Sequence, residues 1–190
     1  MRNRATAEVT VSLPQQQEGK IEPNLLTLTR TSLAGVLTQT NDLDSRASGL
    51  ALEALALKLM DLLDMRFVAA RPRSETTDGI ETGLIFESDQ PVFSRWQVQC
   101  KKTEMLTVGD VAKEVGLTYL LKSNVIIIIR TGNIKDEARL YADAVMRKTN
   151  LCIVMLDGAD LHAISVDSMH IKQVFSRETQ RTKGLRPLDI

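Results

Sequence analysis

The sequence predicts an α/β domain in which helices flank a mixed β-sheet, and three observations lead to this fold class. Residues 80–87 and 95–101 are strand-like segments joined by a turn, which predicts an antiparallel hairpin. Residues 125–129 and 151–156 are continuous apolar runs on either side of an amphipathic helical segment, which predicts a parallel crossover. Residues 50–63 form a helical segment too apolar all round for a surface helix, so we expect it to pack on more than one side.

The first part of the chain, residues 1–47, carries the weakest signals. Residues 6–13 alternate weakly, as in a strand. Pro23 fits the first turn of a helix over 24–37, where its missing amide hydrogen is not needed. We expect this region to be an accessory arm that contacts a second copy of the chain, in a homodimer, or a partner subunit.

The predicted core spans residues 48–164, and residues 165–190 form a last helix and a basic tail. Thr107 and Asp110 resemble a helix-capping box with Asp in place of Glu. For the basic cluster near the end, a solvated tail and a phosphate-binding edge both stay open; its members are Arg177, Arg181, Lys183 and Arg186. In order, we expect a helix at 50–63, strands at 66–70, 80–87 and 95–101, a helix ending near 121, a strand at 125–129, a helix at 135–148, a strand at 151–156 and a helix at 166–182.

Composition limits the classes of function. Hydrophobic residues make up 43% of the chain and charged residues 25%, as in soluble globular proteins, and no apolar run approaches the ~20 residues of a membrane span. We expect a cytoplasmic protein without a membrane segment. Cys100 and Cys152 lie in apolar runs and are predicted to be buried free thiols. Lys plus Arg and Asp plus Glu number 24 each, so a DNA ligand would need locally clustered basic residues.

A row of polar residues marks the candidate site. In residues 95–101, polar and apolar side chains alternate, so Arg95, Gln97, Gln99 and Lys101 share one face of a strand. Polar side chains inside a buried sheet are costly unless something binds them. Gln99 and Lys101 lie about 7 Å apart along such a strand, a spacing that suits a metal-ligating oxygen next to an ammonium group.

Several ordered segments carry a resemblance to a known family. The Gln-x-Lys strand Gln99–Lys101 is preceded by Gly49-Leu-Ala-Leu-Glu53 and Met65-Arg-Phe67. It is followed by the apolar 125–129 strand, Thr131-Gly132, the 138–144 helix and Leu156-Asp-Gly-Ala-Asp-Leu161. Together these segments, over about 115 residues of the chain, resemble the restriction-endonuclease-like PD-(D/E)XK nuclease fold and, within it, the Mrr-like restriction endonucleases. The resemblance implies an αβββαβ core.

The resemblance also implies a chemistry. Members of this group hydrolyse DNA with Mg²⁺, for which Mn²⁺ is the expected substitute, and act in restriction of foreign DNA. Gln99 and an acidic residue would bind the metal, Lys101 would position or deprotonate the attacking water, and Glu53 would assist. Phosphate contacts are expected from basic residues near this strand, namely Arg71, Arg73, Arg95 and Lys102.

The metal-binding acid on the second core strand is ambiguous. It is Asp78 in the turn, Glu81 on the strand, or it is lost where Gly83 stands. Glu81 shares a strand face with Gly83, whereas Asp78 would need a bend at Gly79. We expect Asp78 or Glu81 to bind the metal. The alternatives are a catalytically degenerate module that binds DNA or a partner without cleaving, and a purely structural subunit.

Overall fold

A computed structural model describes residues 23–41, 43–70, 81–89, 93–102 and 105–186. The predicted strand at 6–13, together with Arg71, Arg73 and Asp78, lies outside these residues. Within them, the chain forms seven helices and seven strands. The helices are α1 (Pro23–Arg30), α2 (Leu33–Gln39), α3 (Ser45–Asp61), α4 (Val108–Leu121), α5 (Asp136–Lys148), α6 (Gly158–Val166) and α7 (His170–Leu185). The strands are β1 (Arg66–Ala70), β2 (Glu81–Ser88), β3 (Ser94–Lys101), β4 (Met105–Leu106), β5 (Val125–Arg130), β6 (Asn133–Ile134) and β7 (Cys152–Leu156).

The described strands form a mixed five-stranded sheet flanked by helices, as predicted. The order is β1-β2-β3-β5-β7, in which β1, β2 and β3 pair antiparallel and β3, β5 and β7 pair parallel. The remaining two described strands, β4 and β6, form a separate short parallel sheet. The strands β5 and β7 pair parallel, as their continuous apolar runs predict. Such runs are typical of parallel strands, because a strand that is covered on both faces needs no polar alternation.

Each face of the sheet is covered by a separate apolar cluster. On one face, Leu84, Phe86, Val98 and Ile127 pack with the leucines of α3. On the other face, Ile126 and Ile128 pack with residues of α4 and α5, including Val111 and Ala142. The α3 helix has buried residues all round, from Leu50 to Met60, because α1 and α2 cover the side that the sheet leaves open. The predicted packing of this helix on more than one side is therefore confirmed.

Two helix boundaries differ from the prediction. The helix expected over 24–37 is broken into α1 and α2, because Ser32 begins a second helix by accepting a hydrogen bond from the Gly35 amide. The helix expected over 166–182 starts later, at His170, because α6 extends to Val166 and is followed by a turn at Asp167. Leu25, Leu33 and Val36 of the arm join the same apolar cluster as α3. The described part of the arm therefore packs on α3.

A close backbone contact joins the segments that follow the carboxyl ends of β5 and β7. A Cβ atom on Gly158 would lie 2.4 Å from the Thr131 carbonyl oxygen, and the Gly158 amide donates to the Gly132 carbonyl oxygen at 3.1 Å. Glycine is thus required where α6 begins after β7 and meets the segment after β5. None of the helices described is long and apolar enough to cross a membrane.

Candidate functional site

Four polar side chains at alternate positions of β3 face α4, and the pairing of β3 with β5 positions them. Arg95, Gln97, Gln99 and Lys101 alternate with Trp96, Val98 and Cys100, which belong to the α3 cluster. In the parallel pairing with β5, Gln97, Gln99 and Lys101 lie beside Ile126, Ile128 and Arg130. We call these four β3 residues the polar row. The predicted sharing of one face is confirmed, and each member of the row contacts polar groups of the same chain.

Gln97 lies in the middle of the sheet and is fully buried. Its amide nitrogen donates to both the carbonyl oxygen and the carboxylate Oε2 of Glu114, each at 2.9 Å. Its amide oxygen accepts a short hydrogen bond from the Ser123 hydroxyl. Glu114 is also fully buried. Hydrogen bonds within the chain therefore satisfy Gln97, and they link β3 to α4.

Gln99 is fully buried next to a buried cation. Arg130, the last residue of β5, has no exposed side-chain surface, and its Nη2 lies 3.4 Å from the Gln99 Oε1. The same Nη2 lies 3.3 Å from the Asp110 Oδ1 on α4. A guanidinium group thus lies beside the oxygen that the sequence predicts to be a metal ligand. A buried arginine requires such partners because desolvation of its charge is otherwise costly.

Lys101 lies at the carboxyl end of β3 with 21% of its side chain exposed. Its Nζ donates to the Asp110 Oδ1 at 3.1 Å. Asp110 also accepts hydrogen bonds at Oδ2 from the Thr107 amide and hydroxyl. Burial alone would raise the pKa of Asp110, but these hydrogen bonds, with the charges of Arg130 and Lys101, outweigh it and lower the pKa to about 2. Asp110 is therefore ionised at neutral pH.

The backbone of β2 determines which of its residues adjoin the polar row. Glu81 pairs with Lys101 and Gly83 pairs with Gln99. Directly opposite residues in an antiparallel pair share one face of the sheet. Glu81 therefore occupies the β2 position closest to Lys101, although its side chain lies outside the described part of the structure, as does all of Asp78. The choice between these two acids stays a prediction.

Comparisons with protein-family models and with curated proteins find no match. Among the described residues, no group of three or more His, Cys, Asp or Glu side chains could hold a metal ion. A metal site at the polar row would need the Gln99 carboxamide together with the carboxylate of Glu81 or Asp78, neither of which belongs to the described side chains.

Arg95 lies at the opposite end of the polar row from Lys101. Their positions are six apart in the sequence, or about 20 Å along a strand. The Arg95 Nε and Nη2 bind the Glu87 Oε1 at 2.8 and 2.6 Å, and the Arg66 Nη2 binds the Glu87 Oε2 at 2.7 Å. The Arg95 hydrogen bonds, followed by its charge and by Arg66, lower the pKa of Glu87 despite its burial. The structure does not bring Arg95 to the Lys101 end, whereas Lys102 directly follows that end.

Glu53 lies on the other side of the sheet from the polar row. It is buried on α3, and its negative charge adds to the effect of burial in raising the pKa of the Cys100 thiol. Cys100 belongs to the cluster that packs with α3, whereas Gln99 and Lys101 face α4. The structure therefore separates Glu53 from the face of these two residues, and its assisting role stays a prediction. Cys100 and Cys152 are both free thiols, as expected, although Cys152 is only half-buried.

The arginines of the predicted basic cluster are engaged within the domain. Arg177 donates both terminal nitrogens to Asp160 at 2.9 Å, and Arg181 binds Glu178 and Asp143. Arg186 donates to the carbonyl oxygens of Met146 and Leu151. These contacts fasten α7 to α5, α6 and β7. They argue against a freely solvated tail over the described residues up to Arg186.

The sequence analysis missed two residues of the site, Asp110 and Arg130. The sequence pattern indicates only a helix cap at Asp110, and the apolar run at 125–129 does not by itself single out Arg130. One sequence signal was available for Arg130. A charged residue directly after a strand buried on both faces lies at the carboxyl edge of the sheet, where sites of α/β proteins are found.

Proposed function

We propose that this protein is a metal-dependent DNA endonuclease of the restriction-endonuclease-like PD-(D/E)XK fold, related to the Mrr-like enzymes and acting in defence against foreign DNA. The observation that carries the proposal is the pairing of Glu81 with Lys101 and of Gly83 with Gln99. It aligns an acidic residue of β2 with the Gln-x-Lys segment of β3. From α3 to β5, and leaving aside the short β4, which is not part of the five-stranded sheet, the order is helix, three strands, helix and strand, which supports the αβββαβ core that the resemblance implies.

The surroundings of Gln99 determine what a metal ion would require. Mg²⁺ prefers oxygen ligands and needs at least one carboxylate close by. Lys101 and Arg130 bring two positive charges to this region, and Asp110 is engaged by both of them. The donor set fits Mg²⁺ when a carboxylate is added from β2. We therefore assign Glu81 or Asp78, together with Gln99, as the residues that would hold Mg²⁺ or Mn²⁺.

The chemistry of the site follows from these groups. When bound, Mg²⁺ would supply Lewis acidity and neutralise charge at the scissile phosphate. The Lys101 ammonium group would orient the attacking water and stabilise the negative charge that develops on the phosphate oxygens. Lys102, with Arg71 and Arg73 in the segment between β1 and β2, would contact the DNA backbone.

A second candidate function is a module that keeps the fold and binds DNA or a partner subunit without cleaving. The contact of Arg130 with Gln99 favours it. A guanidinium group 3.4 Å from the carboxamide oxygen supplies a fixed positive charge close to where the metal would lie. In a degenerate nuclease, such a charge would stabilise the emptied site by replacing the dication.

Calorimetry and a nicking assay distinguish the two functions. Mg²⁺ or Mn²⁺ is titrated into the parent protein and into Glu81→Ala and Asp78→Ala, and nicking of a supercoiled plasmid is followed for each. We expect one of the two changes to abolish metal binding. Lys101→Ala should leave binding intact and slow nicking by about 10²-fold or more, because a group that stabilises only the transition state is lost. Lys172→Ala, an exposed lysine on α7, is the control.

The nicking and metal-binding results distinguish the nuclease from the non-cleaving module. Nicking by Lys101→Ala at the parent rate would remove Lys101 from the mechanism. If neither acid variant weakens metal binding and the parent protein shows no metal-dependent nicking, the nuclease proposal fails. The non-cleaving module then takes its place if the protein still binds DNA.

A further inference from the structure

The two carboxylate oxygens of Asp110 have different partners. Oδ2 accepts from the Thr107 amide and hydroxyl at 3.0 and 2.9 Å, which closes the capping box at the start of α4. Oδ1 faces the sheet and receives Lys101 from β3 and Arg130 from β5. One side chain therefore joins the first turn of a helix to the carboxyl ends of two neighbouring strands.

This arrangement limits how far Lys101 can move. A lysine side chain loses rotamer entropy whenever its ammonium group is held in one position. The capping box fixes Asp110 relative to the backbone of α4, and α4 in turn is fixed on β3 by the Gln97–Glu114 hydrogen bonds. The ammonium group of Lys101 is thus ordered before any ligand arrives.

We propose that Asp110 is a positioning residue that holds the Lys101 ammonium and, through Arg130, the Gln99 carboxamide in the geometry that DNA hydrolysis requires. This inference rests on the proposed nuclease function for its catalytic consequence. In this role Asp110 acts through Lys101 and Arg130, the two cations that bind its Oδ1. Its effect on rate comes from the preorganisation of Lys101, because a reacting group displaced by a fraction of an ångström loses much of its effect.

The chain contains a matched control for this proposal. Asp160 closes the capping box of α6 with Asp157, and its two carboxylate oxygens bind Arg177. It therefore has the same position in its helix as Asp110 and likewise binds a basic side chain, but that side chain is Arg177 of α7 and not Lys101. Asp160→Asn should reproduce the structural cost of Asp110→Asn without its effect on Lys101.

The test measures two quantities on the full chain for Asp110→Asn and Asp160→Asn. The first is plasmid nicking with Mg²⁺, analysed as kcat and KM for DNA. We expect Asp110→Asn to lower kcat about 10- to 100-fold, as loss of an outer-shell partner does, with KM unchanged. The second is the rate of Lys101 acetylation by a soluble acylating reagent, followed by mass spectrometry with Lys172 as the internal reference. We expect a several-fold increase for Asp110→Asn and no change for Asp160→Asn.

Each result supports or overturns the proposal. Equal acetylation of Lys101 in the parent and in Asp110→Asn would overturn it, as would equal losses of kcat in the two variants. If the parent protein does not nick DNA and Lys101 acetylation still increases only in Asp110→Asn, the nuclease function fails while the positioning of Lys101 by Asp110 stands. Should Asp110→Asn not fold, Asp110→Glu replaces it. That variant keeps the charge but shifts it by one methylene, so an intermediate kcat is expected and an unchanged kcat overturns the proposal.

Discussion

Arg130 shows how a single buried residue links stability to the candidate site. Its guanidinium group is fully buried between Gln99 and Asp110. Taking a guanidinium group out of water is unfavourable, and only well-placed partners offset that cost. The arginine therefore depends on Asp110, and Asp110 depends on the two cations that bind its Oδ1. Removal of Arg130, Asp110 or Lys101 therefore leaves a charged group with fewer partners.

We predict that Arg130→Met lowers the free energy of unfolding by about 3 kcal/mol. Breaking a buried ion pair by removing one partner costs about 3–5 kcal/mol, and the lower end applies because Asp110 keeps Lys101. Urea denaturation followed by circular dichroism measures the change. Arg147→Met, at an exposed position in the last turn of α5, is the control and should change stability by less than about 0.5 kcal/mol. An Arg130→Met protein as stable as the parent would mean that the buried charge gives no net stabilisation.

At the scale of elements, the ends of β5 and β7 are joined by backbone contact. The Gly158 amide bonds the Gly132 carbonyl oxygen, and the missing side chain of Gly158 leaves room for Thr131. The atoms that a Cβ would meet are backbone atoms, which cannot rotate away as a side-chain end could. This contact fixes the start of α6 beside the edge of the sheet that carries Lys101 and Arg130.

We predict that Gly158→Ala destabilises the protein by about 1–3 kcal/mol, the usual cost of forcing extra volume into a packed site. Gly116→Ala is the matched control, because nothing lies within 4 Å of its Cβ position on α4. An alanine in a helix interior is favoured over glycine by about 0.5–1 kcal/mol, so this control should be stabilised. Thermal unfolding of both variants checks the prediction. Equal shifts in Tm would contradict the claim that the Thr131 contact requires glycine.

For the whole molecule, internal pairing reduces the positive charge that is available to DNA. The chain has equal numbers of acidic and basic residues. Arg95 binds Glu87, and Arg177 and Arg181 bind acids of α5, α6 and α7. Of the residues predicted to contact phosphates, Lys102 directly follows β3, and Arg71 and Arg73 lie in the segment after β1. The ion pairs of Arg95, Arg177 and Arg181 argue against phosphate contacts from these three arginines.

We predict that DNA binding has a modest salt dependence, with a log–log slope of about −2 to −4, since each neutralised phosphate contributes about −0.9. Lys102→Ala should make the slope shallower by about 1, because one phosphate contact is lost. Arg177→Ala should leave the slope unchanged, since Arg177 already binds Asp160. Fluorescence anisotropy with a labelled duplex between 50 and 200 mM salt measures the three slopes. A slope that changes with Arg177→Ala and not with Lys102→Ala would assign the DNA-binding surface to α7.

The sequence alone determined the features that depend on residues close together along the chain. The period of apolar residues identified the strands of the sheet and the helices around it, and the spacing of Thr107 and Asp110 identified the start of α4. Alternation along β3 put Gln97, Gln99 and Lys101 on one face. These predictions hold because backbone periodicity and capping are local, so a few adjacent positions are sufficient to specify them.

Only the tertiary structure decided which partners the polar row has. The pairing of Arg130 with Lys101 depends on the parallel register between β3 and β5, and the contact of Lys101 with Asp110 depends on where α4 crosses the sheet. Residues distant in sequence become neighbours through packing of apolar faces, and the apolar pattern specifies which face is buried but not which polar groups meet there.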